Sequence, residues 1–389
     1  MDVESRTRTL TPHWEKAVKV IAVAFTCFQL YTAIFGALAP QIQRSVHLSF
    51  AMVLCFILYP LNRRNMQSKI NIVDCLLMVS AAVSSIYWLL NFKAIVYRVG
   101  NITPLDFWMG VMAILTVLEA TRRVIGYPVL ILAGISLVYC YFGPYFPNFF
   151  VHRGFSINRI VRHMYLSTEG ILGTPIGVVS TFVFLFLLFG AVLKRTGVGD
   201  FFNDFANALT GKAVGGPAKV AVISSALGGT VSGSSIANVA GSGSFTIPMM
   251  KKYGYTPDFA AAVEASASTG GQIMPPVMGA AAFLMAEFTG IPYWSVALSA
   301  AIPAVLYFTG IFISVHLEAK KLNLCGVADA DVQNVWTVIK ERGILFAPII
   351  VITVTMSTGM TAMRAALYGI LSAIIFGSLY KAHRLKPKD

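Results

Sequence analysis

Charged residues are scarce in this sequence. Only 12% of its 389 residues are Asp, Glu, Lys or Arg, whereas 56% are apolar. A soluble domain has about a quarter of its residues charged, so this composition excludes an ordinary soluble protein and indicates a polytopic membrane protein. The net charge of +13 does not indicate a nucleic-acid partner, because Lys and Arg lie mostly in short loops between apolar runs, where they act as topology signals.

Metal-binding and catalytic motifs are also missing. The five cysteines lie almost entirely in or beside apolar runs and form no CxxC pair, which disfavours a disulfide framework or a zinc site. An intramembrane serine hydrolase would need a nucleophile, a base and an oxyanion hole, and no GxSxG motif occurs despite the many serines. We therefore expect neither an enzyme nor a bound cofactor.

Apolar runs of spanning length predict an all-α polytopic membrane protein with about ten transmembrane helices, at roughly 20 residues per span. The predicted spans lie at about 17–39, 46–61, 71–90, 105–119, 127–143, 171–193, 294–315, 344–361 and 363–380, and the uncharged stretch between Glu264 and Glu287 is a further span. Across the loops of the first six spans, Lys and Arg number eleven on one side and six on the other. By the positive-inside rule this predicts a cytoplasmic N-terminus.

Two connecting segments carry aromatic residues in a polar setting. Residues 144–170 alternate Phe and Tyr with His and Arg, which predicts either a segment in the membrane interface or a docking face for a partner outside the membrane. Residues 199–212 predict an amphipathic interfacial helix with Phe201, Phe202, Phe205 and Leu209 near one face.

The stretch from Val220 to Met250 is uncharged but contains seven serines and five glycines. As one straight helix it would be about 46 Å long, too long for a bilayer core of about 30 Å, and it is too short for two spans. Lysines precede and follow it, so both ends are expected on the cytoplasmic side. We predict a re-entrant helical hairpin with its tip at residues 232–238.

The next apolar stretch contains paired helix breakers, Gly270-Gly271 and Pro275-Pro276. Such pairs remove helix propensity and backbone donors, so we predict a discontinuous helix with two half-helices around residues 270–276. Freed carbonyls and Ser, Thr or Asn oxygens can coordinate Na⁺ there, while half-helix N-termini attract an anion.

The predicted substrate and ion site combines the hairpin tip with the break. Its residues are Ser232, Gly233, Ser234, Ser235, Asn238, Ser266, Thr269, Gly270, Gly271, Gln272, Pro275 and Pro276, with Na⁺ ligands among Ser232, Ser234, Asn238 and Gly270. The alternative is that these small residues only allow helices to approach closely, which is the role we assign to Ser242 and Ser244.

Acidic residues in or beside the spans are weaker candidates. Glu119 near Arg122 and Arg123, and Glu318 near Lys320 and Lys321, are predicted to form interfacial ion pairs. Glu264 precedes the break and could help to hold the hairpin. Carboxylates near span ends commonly face water, so direct ligand binding by Glu264 is not our first expectation.

Two segments carry a family resemblance, GGTVSGSSIANVAGSGSFTIPMMKKYGY (228–255) and AAAVEASASTGGQIMPPVMGAAAFLMAEF (260–288). They resemble the large membrane subunit of tripartite ATP-independent periplasmic (TRAP) transporters, best the fused small and large permease subunit that pairs with binding proteins of the TAXI group. The resemblance covers most of residues 70–380. It implies Na⁺-driven import of an organic anion, usually a carboxylate, delivered by a periplasmic binding protein and carried across the bacterial or archaeal inner membrane by an elevator motion.

The resemblance also implies a division of the chain. Residues 1–145 would stand in for the small subunit, 146–215 connect, 216–320 hold the transport-core half, and 321–389 hold a cytoplasmic link and two spans. The family has two inverted repeats, each with a hairpin and a broken helix, whereas this sequence contains one such set. We therefore expect the first repeat only, with a second half of the large subunit as a missing partner. The alternative function is a truncated or split half-transporter, inactive alone.

Overall fold

The computed structural model describes residues 7–62, 69–98, 100–327 and 332–379. Contacts divide the chain into two units, residues 1–180 and 181–389, which we name unit 1 and unit 2. Three of the eleven Lys and Arg residues that predict a cytoplasmic N-terminus, Arg6, Arg63 and Arg64, lie outside the described residues, as does the basic tail 381–389. The four-region division expected from the family stays a prediction beside this division into two.

Unit 1 is built from apolar helices, several of which begin with proline. A proline in the first turn removes an N–H group that has no helical partner there, and its fixed φ favours the helix. The helices are α1 (Pro12–Phe35), α2 (Pro40–Leu58), α3 (Ile72–Tyr97), α4 (Pro104–Val124), α5 (Tyr127–Phe142), α6 (Ile157–Val161) and α7 (Thr174–Val178). Short 3₁₀ turns lie at Gly143–Tyr145 and Asn148–Phe150, and a π-helical turn at Arg162–Leu166.

A buried ion cluster joins the start of α3 to the end of α4. Asp74 is fully buried and accepts hydrogen bonds from Arg8 at 2.8 Å and from Arg123 at 2.6 Å. Glu119 pairs with Arg122 at 2.7 Å and with Arg123 at 2.8 Å, which confirms its predicted pairing. We call these five residues the ion cluster of unit 1. Because the two aspartate oxygens each have a cation, the cost of burying this charge is offset.

Unit 2 contains the hairpin and the broken helix. Its helices are α8 (Phe184–Arg195), α9 (Val198–Thr210), α10 (Gly216–Ser232), α11 (Ser235–Lys252), α12 (Pro257–Gly270), α13 (Ala280–Thr289), α14 (Tyr293–Lys321), α15 (Val335–Arg342), α16 (Ala347–Ser357) and α17 (Ala362–Leu379). A π-helical turn at Val179–Val183 precedes α8, and a 3₁₀ turn at Gly343–Phe346 precedes α16.

Eight of the described helical segments are long and apolar enough to cross a membrane, which confirms the all-α polytopic class. The predicted span 344–361 is wrong as one long helix. The α16 helix has 11 residues, about 17 Å, because it starts only after a 3₁₀ turn and stops before Gly359, whose φ is +82°. The predicted return span 294–315 is confirmed and longer, since α14 has 29 residues.

The predicted amphipathic helix is present as α9, with Phe201 and Phe202 buried on one side. Their rings lie 4.8 and 5.8 Å from the ring of Phe346. The aromatic face is therefore covered by the 3₁₀ turn before α16. Leu209 does not share that face, since it is 54% exposed.

Candidate functional site: the hairpin tip and the helix break

Helices α10 and α11 form an antiparallel hairpin that reverses at Gly233 and Ser234. Gly233 adopts a left-handed conformation with φ +57°, which glycine takes without strain. Ser225 and Ser242, equally distant from the turn, lie with their hydroxyl oxygens 3.1 Å apart. Asn238 donates to the Ser225 carbonyl at 2.7 Å. The predicted hairpin is confirmed as a helix–turn–helix unit, while its entry into the membrane stays a prediction.

The predicted break is also present. Helix α12 ends at Gly270 and α13 starts at Ala280, with irregular backbone between them and a cis peptide at Pro275-Pro276. The break packs directly on the hairpin, because a Cβ placed on Gly271 would lie only 2.7 Å from the Cα of Gly229. Two glycines thus let the backbones of α10 and the break touch.

Three further hydrogen bonds fix the break to the hairpin and to itself. The Val277 amide donates to the Thr230 carbonyl at 3.2 Å, and the Gln272 side chain donates to the Ser235 hydroxyl at 2.9 Å. Within the break, the Gly279 amide donates to the Gln272 carbonyl at 2.7 Å. The hairpin tip and the break therefore form one structural element, as the sequence predicts.

A cavity of about 880 Å³ lies beside this element, entirely within unit 2. Its polar lining consists of hydroxyl and amide groups: Ser232, Ser234, Ser235, Gln272, Thr289, Ser295 and Ser299. None of its lining residues is charged. The α11 and α13 helices both begin at this cavity, so their N-terminal amide groups add positive potential there. Such a lining can bind a polar or anionic molecule through neutral donors.

The structure brings five of the predicted residues to the cavity: Ser232, Gly233, Ser234, Ser235 and Gln272. Sequence reasoning missed Ser295 and Ser299, which line the cavity from α14. Their spacing of four residues places them on one face of a helix that is otherwise mostly apolar. That spacing was a usable signal, although only the fold shows that this face meets the hairpin tip.

The other predicted residues do not line the cavity. Asn238 is buried between the hairpin legs, and Ser266 and Thr269 are exposed on α12, where Thr269 donates to the Ala265 carbonyl. Gly270 packs on Tyr307, since a Cβ there would lie 2.6 Å from the ring.

The remaining members of the predicted set lie in the break itself. Gly271 packs on Gly229 of α10. Pro275 and Pro276 lie in the irregular backbone between α12 and α13. The Pro276 carbonyl accepts a hydrogen bond from Tyr293 at 2.9 Å.

Glu264 is the centre of a second polar feature, where α12 packs against both legs of the hairpin. It is fully buried and accepts hydrogen bonds from four hydroxyls on three helices. The donors are Ser225 (2.9 Å), Ser242 (2.5 Å), Thr246 (2.5 Å) and Ser268 (3.0 Å). We call these five residues the Glu264 cage. Within the described ranges no ion pair reaches Glu264, so neutral hydroxyls alone satisfy its oxygens.

The cage corrects two predictions. Glu264 does not face water, because the α10–α11 hairpin covers it. Ser242 is not merely a small packing residue, since it donates to Glu264. Ser244, by contrast, is exposed and bonds only within its own helix. The expectation that Glu264 helps to hold the hairpin is confirmed by its contacts with both legs.

Comparison with known proteins gives one family and several relatives. The family model for the DctM component of tripartite ATP-independent periplasmic transporters matches residues 112–388. The C4-dicarboxylate TRAP transporter large permease protein DctM of Pseudomonas aeruginosa is 28% identical over 203 residues, 51% of this chain and 47% of that protein. The sialic acid TRAP transporter large permease protein SiaM of Vibrio cholerae is 26% identical over 195 residues, 50% of this chain and 45% of that protein.

A third relative is the 2,3-diketo-L-gulonate TRAP transporter large permease protein YiaN of Escherichia coli. It is 25% identical over 168 residues, 43% of this chain and 39% of that protein. The chain spans about half the length, or less, of these curated relatives. All three are transporter permeases rather than enzymes.

Proposed function

Because the chain belongs to the family of the DctM component of tripartite ATP-independent periplasmic transporters, we propose that it is the membrane permease component of a secondary transporter that imports an organic anion. It is a multi-pass inner-membrane protein, as the eight candidate spans among the described residues and the permease relatives indicate. The N-terminus is proposed to be cytoplasmic from the distribution of Lys and Arg.

One observation carries this proposal: the hairpin tip and the helix break share a cavity that has hydroxyl and amide groups in a mostly apolar lining and no charged residue. An anion such as a carboxylate would be held there by serine hydroxyls, the Gln272 amide and the N-terminal ends of α11 and α13. No lining side chain is basic, so recognition by this chain rests on neutral donors.

Na⁺ is the proposed coupling ion. Hydroxyl and carbonyl oxygens at a helix break suit a hard cation, and Ser232, Ser234 and Gly270 lie at or next to the tip and the break. Asn238 is also predicted as a ligand, but its side-chain amide donates a hydrogen bond between the hairpin legs. An elevator motion of the hairpin and broken helix, and delivery by a periplasmic binding protein, complete the proposed mechanism.

A second candidate is a half-transporter that needs a second polypeptide to complete its site. The observation behind it is that the described residues of unit 2 contain one hairpin and one helix break. The neighbouring reading frames distinguish the two. A downstream frame that encodes a second hairpin and break, and that restores uptake on coexpression, would support the split transporter.

Uptake measurements test the proposal. Cells that express this chain with its neighbouring reading frames and a binding protein should take up a radiolabelled carboxylate only when Na⁺ is present outside. Ser234→Trp fills the cavity and should abolish that uptake while membrane insertion persists. The matched control is Ser244→Trp, because Ser244 lies on α11, which Ser234 caps, but outside the cavity. Equal uptake by wild type and Ser234→Trp would overturn the proposed site.

A further inference from the structure

A cleft of about 930 Å³ opens in unit 1 and shares no lining residue with the cavity of unit 2. It is lined by residues at the start of α2, the end of α3, the start of α4 and the end of α5. In a set of spans that cross alternately, these four ends fall on the same side of the membrane. The cleft therefore lies at one membrane surface, beside the segment that carries alternating aromatic and basic residues.

The interior of the cleft is apolar. Trp88, Ile102, Leu137, Phe155 and Ile160 contribute to it from four different parts of unit 1. An apolar cleft at a membrane surface suits hydrocarbon, because acyl chains are the abundant apolar molecules at that position. The free thiol of Cys140 also lines the cleft.

The rim of the cleft is basic. Of its four basic residues, Arg98 pairs with Asp106 at 3.3 Å and His163 approaches Glu169 at 3.8 Å. Arg159 and Arg162 have no carboxylate partner in the described part of the chain.

The two unpaired arginines make only neutral contacts. The Arg159 guanidinium lies 4.8 Å from the centre of the Phe155 ring, and Arg162 donates to the Gly100 carbonyl at 3.0 Å. Being three residues apart on a helical turn, they are neighbours on its surface. Both side chains are exposed, so an anion can reach them.

We propose that this cleft binds one anionic phospholipid, with an acyl chain on the apolar interior and the headgroup phosphate at Arg159 and Arg162. Guanidinium groups form strong charge-assisted hydrogen bonds with phosphate oxygens, and basic residues at a membrane surface favour anionic lipids. The combination of a hydrocarbon-sized interior and a basic rim matches an amphiphile better than a protein face, which would not need the cleft. The proposal does not depend on the transport function.

The test uses the full chain in nanodiscs of phosphatidylcholine with or without phosphatidylglycerol. Alkylation of Cys140, followed by peptide mass spectrometry, reports occupancy of the cleft, and the exposed Cys75 near the opposite end of α3 is the internal reference. Phosphatidylglycerol should slow alkylation of Cys140 and leave Cys75 unchanged. In the double variant Arg159→Gln/Arg162→Gln, protection of Cys140 should need more phosphatidylglycerol. The apparent affinity for this lipid should fall by about fivefold for each arginine removed.

Two further variants keep the result decisive. Arg153→Gln removes an exposed arginine of the same segment that does not line the cleft, so it should behave as wild type. Leu137→Trp narrows the apolar interior but keeps both arginines. In this variant phosphatidylglycerol should no longer slow alkylation of Cys140. The variant therefore tests the cleft even if the double arginine variant fails to fold. Protection by phosphatidylcholine alone, protection by inorganic phosphate alone, or unchanged protection in a folded double variant or in Leu137→Trp would overturn the proposal.

Discussion

Asp74 in unit 1 and Glu264 in unit 2 are both fully buried carboxylates, but their surroundings differ. Asp74 has an arginine on each oxygen, from the N-terminal segment and from α4. Glu264 has four hydroxyl donors and no cation partner among the described residues. The Asp74 carboxylate is thus held by two positively charged arginines, whereas the Glu264 carboxylate is held by neutral hydroxyl donors.

The two sites differ in how strongly the loss of one group should destabilise them. If the Asp74 carboxylate is removed, the buried Arg8 loses its carboxylate partner, which is strongly unfavourable. In the Glu264 cage the donors have other acceptors within reach. Ser242 lies 2.9 Å from the Asn238 carbonyl, and Thr246 lies 3.1 Å from the Ser242 carbonyl. The ion cluster is therefore sensitive to the loss of a single charge, whereas hydroxyls of the cage can turn to backbone carbonyls.

The largest effect is expected from Asp74→Asn. It leaves Arg8 and Arg123 buried without a full counter-charge, which should lower the free energy of unfolding by roughly 3–5 kcal/mol. Thermal unfolding of the purified protein in detergent measures the loss. Glu15→Gln, which changes an exposed carboxylate of α1, is the control and should have little effect. A normal melting temperature for Asp74→Asn would refute the role given to the ion cluster.

The next effect comes from Gly229→Ala, in the first leg of the hairpin. The added methyl would collide with the backbone of Gly271, so we expect a loss of about 1–3 kcal/mol and reduced uptake. Gly241→Ala in the second leg meets no atom within 4 Å, so it should stabilise the helix slightly. The two changes are chemically identical, and destabilisation of equal size in both would show that the contact between α10 and the break does not matter.

A smaller effect is expected from Glu264→Gln. The amide keeps the shape of the side chain, and the hydroxyls can turn toward backbone carbonyls, so the loss should be about 1–2 kcal/mol. The same unfolding measurement in both variants compares the two carboxylates directly. If Glu264→Gln is as destabilising as Asp74→Asn, the proposed tolerance of the cage is wrong.

The smallest effect is expected from Lys321→Ala. Lys321 pairs with Glu318 at 3.3 Å, as predicted, but its side chain is 72% exposed. Water and salt screen such a pair, so its loss should change stability by roughly 0.2–1 kcal/mol. A melting curve recorded at low and at high salt checks this value, and a large change that persists at high salt would contradict it.

The sequence was sufficient to predict the hairpin and the break because each depends on local signals. The flanking lysines and the length of 220–250 predicted the hairpin, and the Gly and Pro pairs predicted the break. The prediction of one span over 344–361 is wrong because apolar composition does not reveal where a 3₁₀ turn delays the start of a helix.

The Glu264 cage and the Asp74 cluster could not be predicted in full. Ser225 and Glu264 are separated by 39 residues, and Arg8 and Asp74 by 66. Which faces of these helices meet depends on packing, and periodicity within one helix carries no such information. The same reason explains why Asn238, predicted as a substrate and Na⁺ ligand, lies between the hairpin legs instead.

The central claim is that the hairpin tip and the break together bind Na⁺ and an organic anion. Ile236 lies at the tip, lines the cavity and is 64% exposed, so Ile236→Cys in a cysteine-free background reports access to the cavity. The control is Ser244→Cys, on the exposed side of the same helix. We predict that Na⁺, but not an equal concentration of K⁺, slows maleimide labelling at position 236 and leaves position 244 unchanged. Labelling at position 236 that proceeds at the same rate in Na⁺ and in K⁺ would contradict the account.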